Sequence, residues 1–200
     1  VETIATHFFE EVLELVDQGH ESGDAGRAAL QHWRELIAKP AGELLTDNAL
    51  AGLYGELEVL EEVVSHPGGT LDHWTGWAKD HNDFRLPGLV LEVKTTTAAD
   101  YRRVRVHGLR QLAAPEDGST LVLVLRRLQL SPTGRSVPDL IEAIVQNGVA
   151  RWKLLECLSN LKYSEQHRAH YALRKFVSEE LALRLVDDRH PRLTPEILRP

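Results

Sequence analysis

The sequence predicts a mixed α/β domain with a single β-sheet. Apolar residues recur at helical spacing up to residue 65, alternate as in strands between residues 81 and 128, and return to helical spacing over residues 137–158. This order of helices, strands and further helices is typical of a sheet with helices packed against it. The chain has 200 residues, of which 42% are hydrophobic, so it is long enough to bury one core.

Two helices are predicted near the start of the chain from their apolar spacing. The first covers residues 2–18, and the second covers residues 24–38 and ends before Pro40. We expect residues 1–45 to form an N-terminal helical segment. Residues 46–200 are expected to form the main core and its C-terminal helices and strands, within one globular unit.

A third helix is predicted over residues 47–65, because Thr46 is a favourable N-cap residue and His66-Pro67-Gly68-Gly69 ends the pattern. Its apolar side chains recur on one face and are expected to contact the core: Leu50, Leu53, Leu57, Leu60 and Val64. Glu56 lies at the margin of this face. It could turn towards the sheet and reach a metal-bound water, or it could border solvent like the other glutamates of the helix. Spacing alone leaves both alternatives open.

The remaining elements are predicted from changes of period and from turn residues. They are a strand at residues 70–77, a strand pair at 81–86 and 88–95, a strand at 101–106, a short helix at 107–114, a buried strand at 119–128, a helix at 137–158 broken near Asn147-Gly148, and strands rather than a helix within 170–187.

The most informative segment is HNDFRLPGLVLEVKTT, residues 81–96. A tight turn at Pro87-Gly88 places Asp83 opposite Glu92. Because side chains alternate between the faces of a strand, Asp83, Glu92 and Lys94 then share one face. The other predicted pairs are Phe84 with Leu91, Arg85 with Val90 and Leu86 with Leu89. The opposite, apolar face is shared by Phe84, Leu89, Leu91 and Val93.

These three polar residues suit a divalent metal site. Two carboxylates opposite each other on one face repel, and Mg²⁺ would replace the repulsion by coordination, since it is held by one or two carboxylates, waters and phosphate oxygens. The ammonium group of Lys94 could orient or deprotonate an attacking water and neutralise charge on the phosphate. The alternative is a solvated Glu-x-Lys ion pair on an ordinary strand.

Five segments together resemble the PD-(D/E)XK nuclease superfamily, and more narrowly the bacterial DUF4420 group. They are GLYGELEVLEEV (residues 52–63), HWTG (73–76), NDF (82–84), LEVKTT (91–96) and HGLRQL (107–112). Members of the group tend to be encoded beside helicase-like, ATPase and DNA-methyltransferase genes in restriction or phage-defence clusters. One departure is that Asn82, rather than the proline of the superfamily's name, precedes Asp83.

The resemblance implies a restriction-endonuclease-like core, with a mixed central sheet flanked by helices, and a Mg²⁺ cofactor for which Mn²⁺ substitutes. It makes Asp83 and Glu92 the metal carboxylates and Lys94 the catalytic lysine. Glu56 would be the acidic residue of the first core helix and would reach the metal through water. Gln111 would match the glutamine found on the helix after the catalytic strand.

DNA contact is expected at a local cluster of arginines: Arg102, Arg103, Arg105 and Arg110. The net charge of -7 argues against a generic DNA-coating protein, which would be strongly basic, but a nuclease needs only a local basic surface. Arg126 and Arg127 form a smaller second cluster. The alternative for both clusters is solvated surface charge.

Several other classes of protein are disfavoured. The ten histidines form no H-x-x-x-H or H-E-x-x-H array, and there is no P-loop or G-x-S-x-G sequence. The single cysteine, Cys157, excludes a Cys-rich zinc site and an internal disulfide, and this favours a cytoplasmic setting. No apolar run reaches the roughly 18 residues of a membrane span. Since the chain contains no methionine, we expect it to be a piece of something longer.

The sequence therefore predicts a Mg²⁺-dependent DNA endonuclease of a bacterial restriction or anti-phage system. Expected partners are DNA and the helicase, ATPase and methyltransferase proteins of such a cluster, and a homodimer would allow both strands to be cut. The main alternative is a DNA- or partner-binding subunit that has the nuclease fold and does not cut. RNA cleavage is a third alternative.

Overall fold

The computed structural model describes residues 2–38, 42–78, 81–98 and 112–187. Its helices are α1 (Glu2–Asp17), α2 (Ser22–Ala38), α3 (Asp47–Ser65), α4 (Val137–Gln146), α5 (Arg151–Asn160) and α6 (Arg168–Tyr171). Its strands are β1 (Phe84–Leu86), β2 (Leu89–Thr96), β3 (Thr120–Ser136) and β4 (Lys175–Leu185). None of the helices in the described part of the chain has the length and apolar character needed to cross a membrane.

The four strands form one mixed sheet in the order β1-β2-β3-β4. β1 and β2 are antiparallel, β2 and β3 are parallel, and β3 and β4 are antiparallel. In the β1–β2 hairpin Phe84 pairs with Leu91 and Leu86 pairs with Leu89, as the turn at Pro87-Gly88 predicted. Gly88 has a φ of 72°, a conformation that glycine adopts without a steric penalty. The predicted mixed α/β fold with one sheet is confirmed.

The main core lies between α3, α4 and one face of the sheet. Thr46 caps α3 by accepting a hydrogen bond from the Ala49 N–H over 3.2 Å, and the ridge predicted on α3 is buried at Leu50, Leu53, Leu57 and Leu60. From the sheet, Phe84, Val93 and Val124 belong to the same core. The apolar ridge of α3 therefore packs on the face of the sheet that carries Phe84, Val93 and Val124.

The second face of the sheet carries a smaller apolar cluster, formed by Val90, Leu112, Leu121, Leu123 and Val186. At the N-terminal end, α1 packs against α2. Lys153 of α5 forms an ion pair with Glu14 of α1, which joins the helical segment to the rest of the chain. The division at residue 45 into a segment and a core stays a prediction.

One predicted strand is wrong. Residues 70–77 form two short 3₁₀ turns, Leu71–His73 and Gly76–Ala78, and only Trp74 makes a bridge, to Phe84. One contribution is local: the Thr70 N–H donates to His73 Nδ1 over 3.1 Å, and such side-chain bonds compete with a sheet ladder. β3 also extends beyond the predicted end at residue 128, to Ser136.

The helix break near Asn147-Gly148 and the strand within residues 170–187 are confirmed by α4, α5 and β4. The predicted strand at residues 101–106 lies outside the described residues. The predicted helix at residues 107–114 also lies outside them, apart from residues 112–114.

Candidate active site

The candidate site lies where α3 meets the start of β1 and the middle of β2. α3 contributes Glu56, the segment before β1 contributes Asn82 and Asp83, and β2 contributes Glu92 and Lys94. The structure therefore brings together four of the five residues predicted to be catalytic. The fifth, Gln111, lies outside the described residues.

Glu92 and Lys94 lie on one face of β2, because they are two residues apart in a strand. The Lys94 ammonium group forms an ion pair with Glu92 Oε1. The Glu92 side chain is fully buried, and that of Lys94 is 16% exposed. A solvated ion pair on an ordinary strand would leave both groups in water, so the structure contradicts that alternative.

The second carboxylate oxygen of Glu92 also has a partner. The side-chain amide of Asn82, which is itself buried, donates to Glu92 Oε2 over 3.3 Å. A buried carboxylate needs such donors, because burial without hydrogen bonds is costly. Lys94 and Asn82 thus hold Glu92 from two sides.

Asp83 lies just beyond the end of the β1–β2 ladder. Its backbone N–H donates to the Leu91 C=O over 3.1 Å, and its carboxylate Oδ2 accepts a hydrogen bond from the Val93 N–H over 2.7 Å. The regular pairing stops at Phe84, so the predicted pair of Asp83 with Glu92 is not part of the ladder. The irregular end of the hairpin instead directs the Asp83 carboxylate onto the backbone of β2.

Glu56 turns from α3 towards Asp83. The indole N–H of Trp74 donates to Glu56 Oε2 over 2.9 Å. A Cβ atom added to Gly76 would lie 2.8 Å from Glu56 Oε2 and 3.3 Å from Asp83 Oδ1, so both oxygens border the same small space. Of the two alternatives for Glu56, the structure has the one in which it faces the sheet.

The pKa values of Glu56, Asp83 and Glu92 are all raised, because these carboxyl groups are buried close together. Burial, followed by the charge of Asp83, raises the pKa of Glu56 from 4.5 to about 8. The same two causes raise the pKa of Glu92 from 4.5 to about 7. Burial also raises the pKa of Asp83, against the opposing effects of the Val93 N–H and of Lys94. The fold therefore holds three acidic groups together with one ammonium group, and a bound cation would favour their ionised forms.

The donor chemistry of the site fits Mg²⁺. Within the described residues no group of three or more His, Cys, Asp or Glu side chains is arranged to hold a metal by protein ligands alone. Mg²⁺ does not need such a cage, because it keeps several waters and takes one or two carboxylates with substrate phosphate oxygens. Asp83 and Glu92 carry carboxylate oxygens, the hard ligand type that Mg²⁺ takes, and the space beside Gly76 lies next to Asp83.

The two arginine clusters noted in the sequence have different outcomes. Arg102, Arg103, Arg105 and Arg110 lie outside the described residues. Arg126 is buried and forms ion pairs with Glu58 and Glu62 of α3. Arg127 pairs with Glu179 and Glu180. The second cluster therefore ties β3 to α3 and β4.

Sequence reasoning missed the residues that support the site. Trp74 is 1% exposed and its indole N–H bonds Glu56, so it is a core residue that also supports the site. Asn82 stands out in the sequence as a departure from proline and not as a donor. The sequence did contain a signal for both residues. Buried carboxylates need hydrogen-bond donors, and an indole and an amide group precede Asp83 in the sequence.

Cys157 is buried, and burial raises the pKa of its thiol to about 12, as expected for a core cysteine.

The fold and site together define a class. A mixed sheet flanked by helices, with an acid before one strand and Glu-x-Lys on the next, is the arrangement of a PD-(D/E)XK-like core. A family model described as "Putative PD-(D/E)XK family member, (DUF4420)" matches residues 4–200, and the chain belongs to this family. No curated protein and no solved structure gave a significant match.

Proposed function

We propose that this protein is a Mg²⁺-dependent deoxyribonuclease that hydrolyses internal phosphodiester bonds of DNA. The observation that carries the proposal is the buried ion pair of Lys94 with Glu92, next to Asp83 and Glu56, in a member of a PD-(D/E)XK family. A nuclease of this kind must concentrate negative groups for a cation beside one positive group for the phosphate. The site contains the acidic groups and the ammonium group together, where α3 meets β1 and β2.

Asp83 and Glu92 are the proposed metal ligands. Their backbone and side-chain partners, the Val93 N–H and the Asn82 amide, fix one oxygen of each and so orient the carboxylates before any ligand arrives. Glu56 is proposed to act through a water molecule. When bound, Mg²⁺ would polarise the scissile phosphate and stabilise the charge of the leaving oxygen.

Lys94 is the proposed catalytic lysine. Its ammonium group lies at the edge of the buried region, where a low dielectric strengthens its field. From there it would orient the attacking water and stabilise the extra negative charge of the phosphate in the transition state. Glu92 holds the ammonium group in place.

A binding module without catalysis is the second candidate, because a net charge of -7 is unusual for a protein that holds DNA by itself. In that case the acidic site would be a relic of a nuclease site that no longer cuts.

We propose a role in a bacterial restriction or anti-phage system. Partners of the helicase, ATPase or methyltransferase type and a homodimer are further proposals.

The proposal is tested by incubating the protein with supercoiled plasmid in Mg²⁺, Mn²⁺ or EDTA. The plasmid is prepared with and without methylation, and an RNA of the same sequence is run in parallel. We expect nicking or linearisation with either metal and none with EDTA. DNA binding without cutting under every condition would favour the binding module, and preferential loss of the RNA would indicate a ribonuclease.

A further inference from the structure

The segment that leads from the first 3₁₀ turn into the second contacts both Glu56 and Asp83. Trp74 donates its indole N–H to Glu56 Oε2 over 2.9 Å. The backbone N–H groups of Thr75 and Gly76 both donate to the C=O of Asp83, over 2.8 and 3.1 Å. One tripeptide, Trp74-Thr75-Gly76, thus joins α3 to the start of β1.

Thr75 strengthens the same connection from its side chain. Its hydroxyl donates to the C=O of Asn82 over 2.8 Å. Trp74 also bridges Phe84 by backbone pairing, so the tripeptide is fixed on both sides of Asp83. Because Trp74, Thr75 and Gly76 each contact this part of the chain, the segment has little freedom to move relative to Asp83.

Gly76 has a distinct reason to be glycine. Its φ lies outside the left-handed region, so the backbone conformation is open to alanine. The restriction is one of space, because an added Cβ would lie 2.8 Å from Glu56 Oε2 and 3.3 Å from both Asp83 Oδ1 and Trp74 Nε1. The first distance is shorter than van der Waals contact allows, so either the Glu56 carboxylate or the segment must move.

We propose that Trp74 and Gly76 are positioning residues of the metal site: Trp74 holds the Glu56 carboxylate towards Asp83, and Gly76 preserves the space that both carboxylates border. The inference rests on the proposed function. Trp74 acts through Glu56 and touches neither metal nor DNA. Groups that orient a ligand in this way typically change metal affinity by about 10- to 100-fold when they are removed.

The experiment measures Mn²⁺ affinity by titration calorimetry and thermal unfolding in EDTA. Trp74→Phe removes the indole N–H and keeps an aromatic ring, and Gly76→Ala adds the Cβ. Each is made in the wild type and in Glu56→Ala. Gly52→Ala is the matched control, because Gly52 lies on α3 near Glu56, and its added Cβ meets no atom within 4 Å.

We expect Trp74→Phe and Gly76→Ala each to weaken Mn²⁺ binding by about 10-fold or more. In the Glu56→Ala background Trp74→Phe should not weaken binding further, since the carboxylate it positions is gone. Gly76→Ala should have a smaller effect there than in the wild type, since Asp83 is then the only one of the two carboxylates that its Cβ borders. Gly52→Ala should leave Mn²⁺ affinity unchanged. A purely structural role would lower the unfolding temperature equally in both backgrounds without affecting affinity.

Two results would overturn the inference. One is unchanged Mn²⁺ affinity in both variants although Glu56→Ala weakens it. The other is an equal loss of affinity with and without Glu56. A wild type that binds Mn²⁺ and cuts no nucleic acid would contradict the proposed function alone, because the affinities still decide the roles of Trp74 and Gly76. A wild type that binds no Mn²⁺ would overturn both.

Discussion

The side-chain amide of Asn82 donates to Glu92 Oε2 over 3.3 Å, and both side chains are buried. Asn82 occupies the position directly before Asp83, where the superfamily's name has proline. Proline has no donor, so the substitution adds a polar contact to the most buried carboxylate of the site. Asparagine in place of proline at this position therefore gives Glu92 a hydrogen-bond donor that proline could not supply.

The first prediction concerns this contact. Asn82→Ala should weaken metal binding by about 10-fold, because an outer partner of a ligand is removed. Asn82→Asp is similar in shape, and it should destabilise the metal-free protein because it adds a negative charge beside Glu92. Metal titration and thermal melts of the three proteins check this. Equal affinity of Asn82→Ala and wild type would show that Lys94 alone orients Glu92.

The second prediction concerns Asp83. Asp83→Asn keeps an acceptor for the Val93 N–H and removes the charge that repels Glu56 and Glu92. We expect metal binding to be abolished and the metal-free fold to gain on the order of 1 kcal/mol, or roughly 2–4 °C for a chain of this size. Asp83→Ala is the control, because it leaves the Val93 N–H without its acceptor and should gain less. A melt in EDTA that shows Asp83→Asn less stable than wild type would contradict the repulsion.

The third prediction is a dependence of stability on pH in the absence of metal. The pKa values of Glu56 and Glu92 are raised from 4.5 to about 8 and about 7. The protonated forms therefore stabilise the fold, fully below pH 4.5, and this stabilisation is lost as the pH rises through 7 and 8. Mg²⁺ should accordingly raise the unfolding temperature more at pH 8 than at pH 6.

Thermal melts in EDTA and in Mg²⁺ across this range measure both effects. Glu56→Gln and Glu92→Gln remove one titrating group each and should flatten the metal-free curve. A metal-free stability that rises between pH 6 and pH 8 would contradict the raised pKa values, and an equal effect of Mg²⁺ at both pH values would place the metal elsewhere.

The fourth prediction is drawn from the sequence alone, since Arg102, Arg103, Arg105 and Arg110 lie outside the described residues. Replacing them by alanine should weaken DNA binding for all sequences and reduce the slope of log K against log salt by about 0.9 for each phosphate that is no longer neutralised. Arg127→Ala is the control, because Arg127 pairs with Glu179 and Glu180. The same slope before and after the four changes would show that DNA is held by another surface.

The hairpin could be predicted from sequence because its determinants are local. Pro87-Gly88 sets the turn, and the alternation that follows places Glu92 and Lys94 on one face. The determinants of helix α3 are also local, because Thr46 caps its start. The approach of Glu56 to Asp83 could not be predicted, because helical spacing gives the margin of a face and not the element opposite it.

The strand predicted at residues 70–77 shows why other features could not be predicted. Its tryptophans and threonines favour strands, but a propensity of this kind depends on what surrounds the side chains. Here the indole N–H of Trp74 bonds Glu56, 18 positions earlier, and Gly76 approaches the same carboxylate. Both contacts cross between elements, and a pattern within one segment does not contain them.

We propose that Asp83, Glu92 and Lys94 form a metal-dependent phosphodiesterase site, and the fifth prediction tests this site through Lys94. The Lys94 ammonium group should act mainly in the transition state. Lys94→Ala should therefore bind DNA almost as tightly as wild type and cut it more slowly, by about 10²–10³-fold. A melt checks that the variant is folded.

The measurement is the single-turnover rate of plasmid cleavage in Mg²⁺ with protein in excess, beside the affinity for the same DNA in Ca²⁺. We expect a large fall in rate with little change in affinity. A folded Lys94→Ala protein that cuts as fast as an active wild type would contradict it.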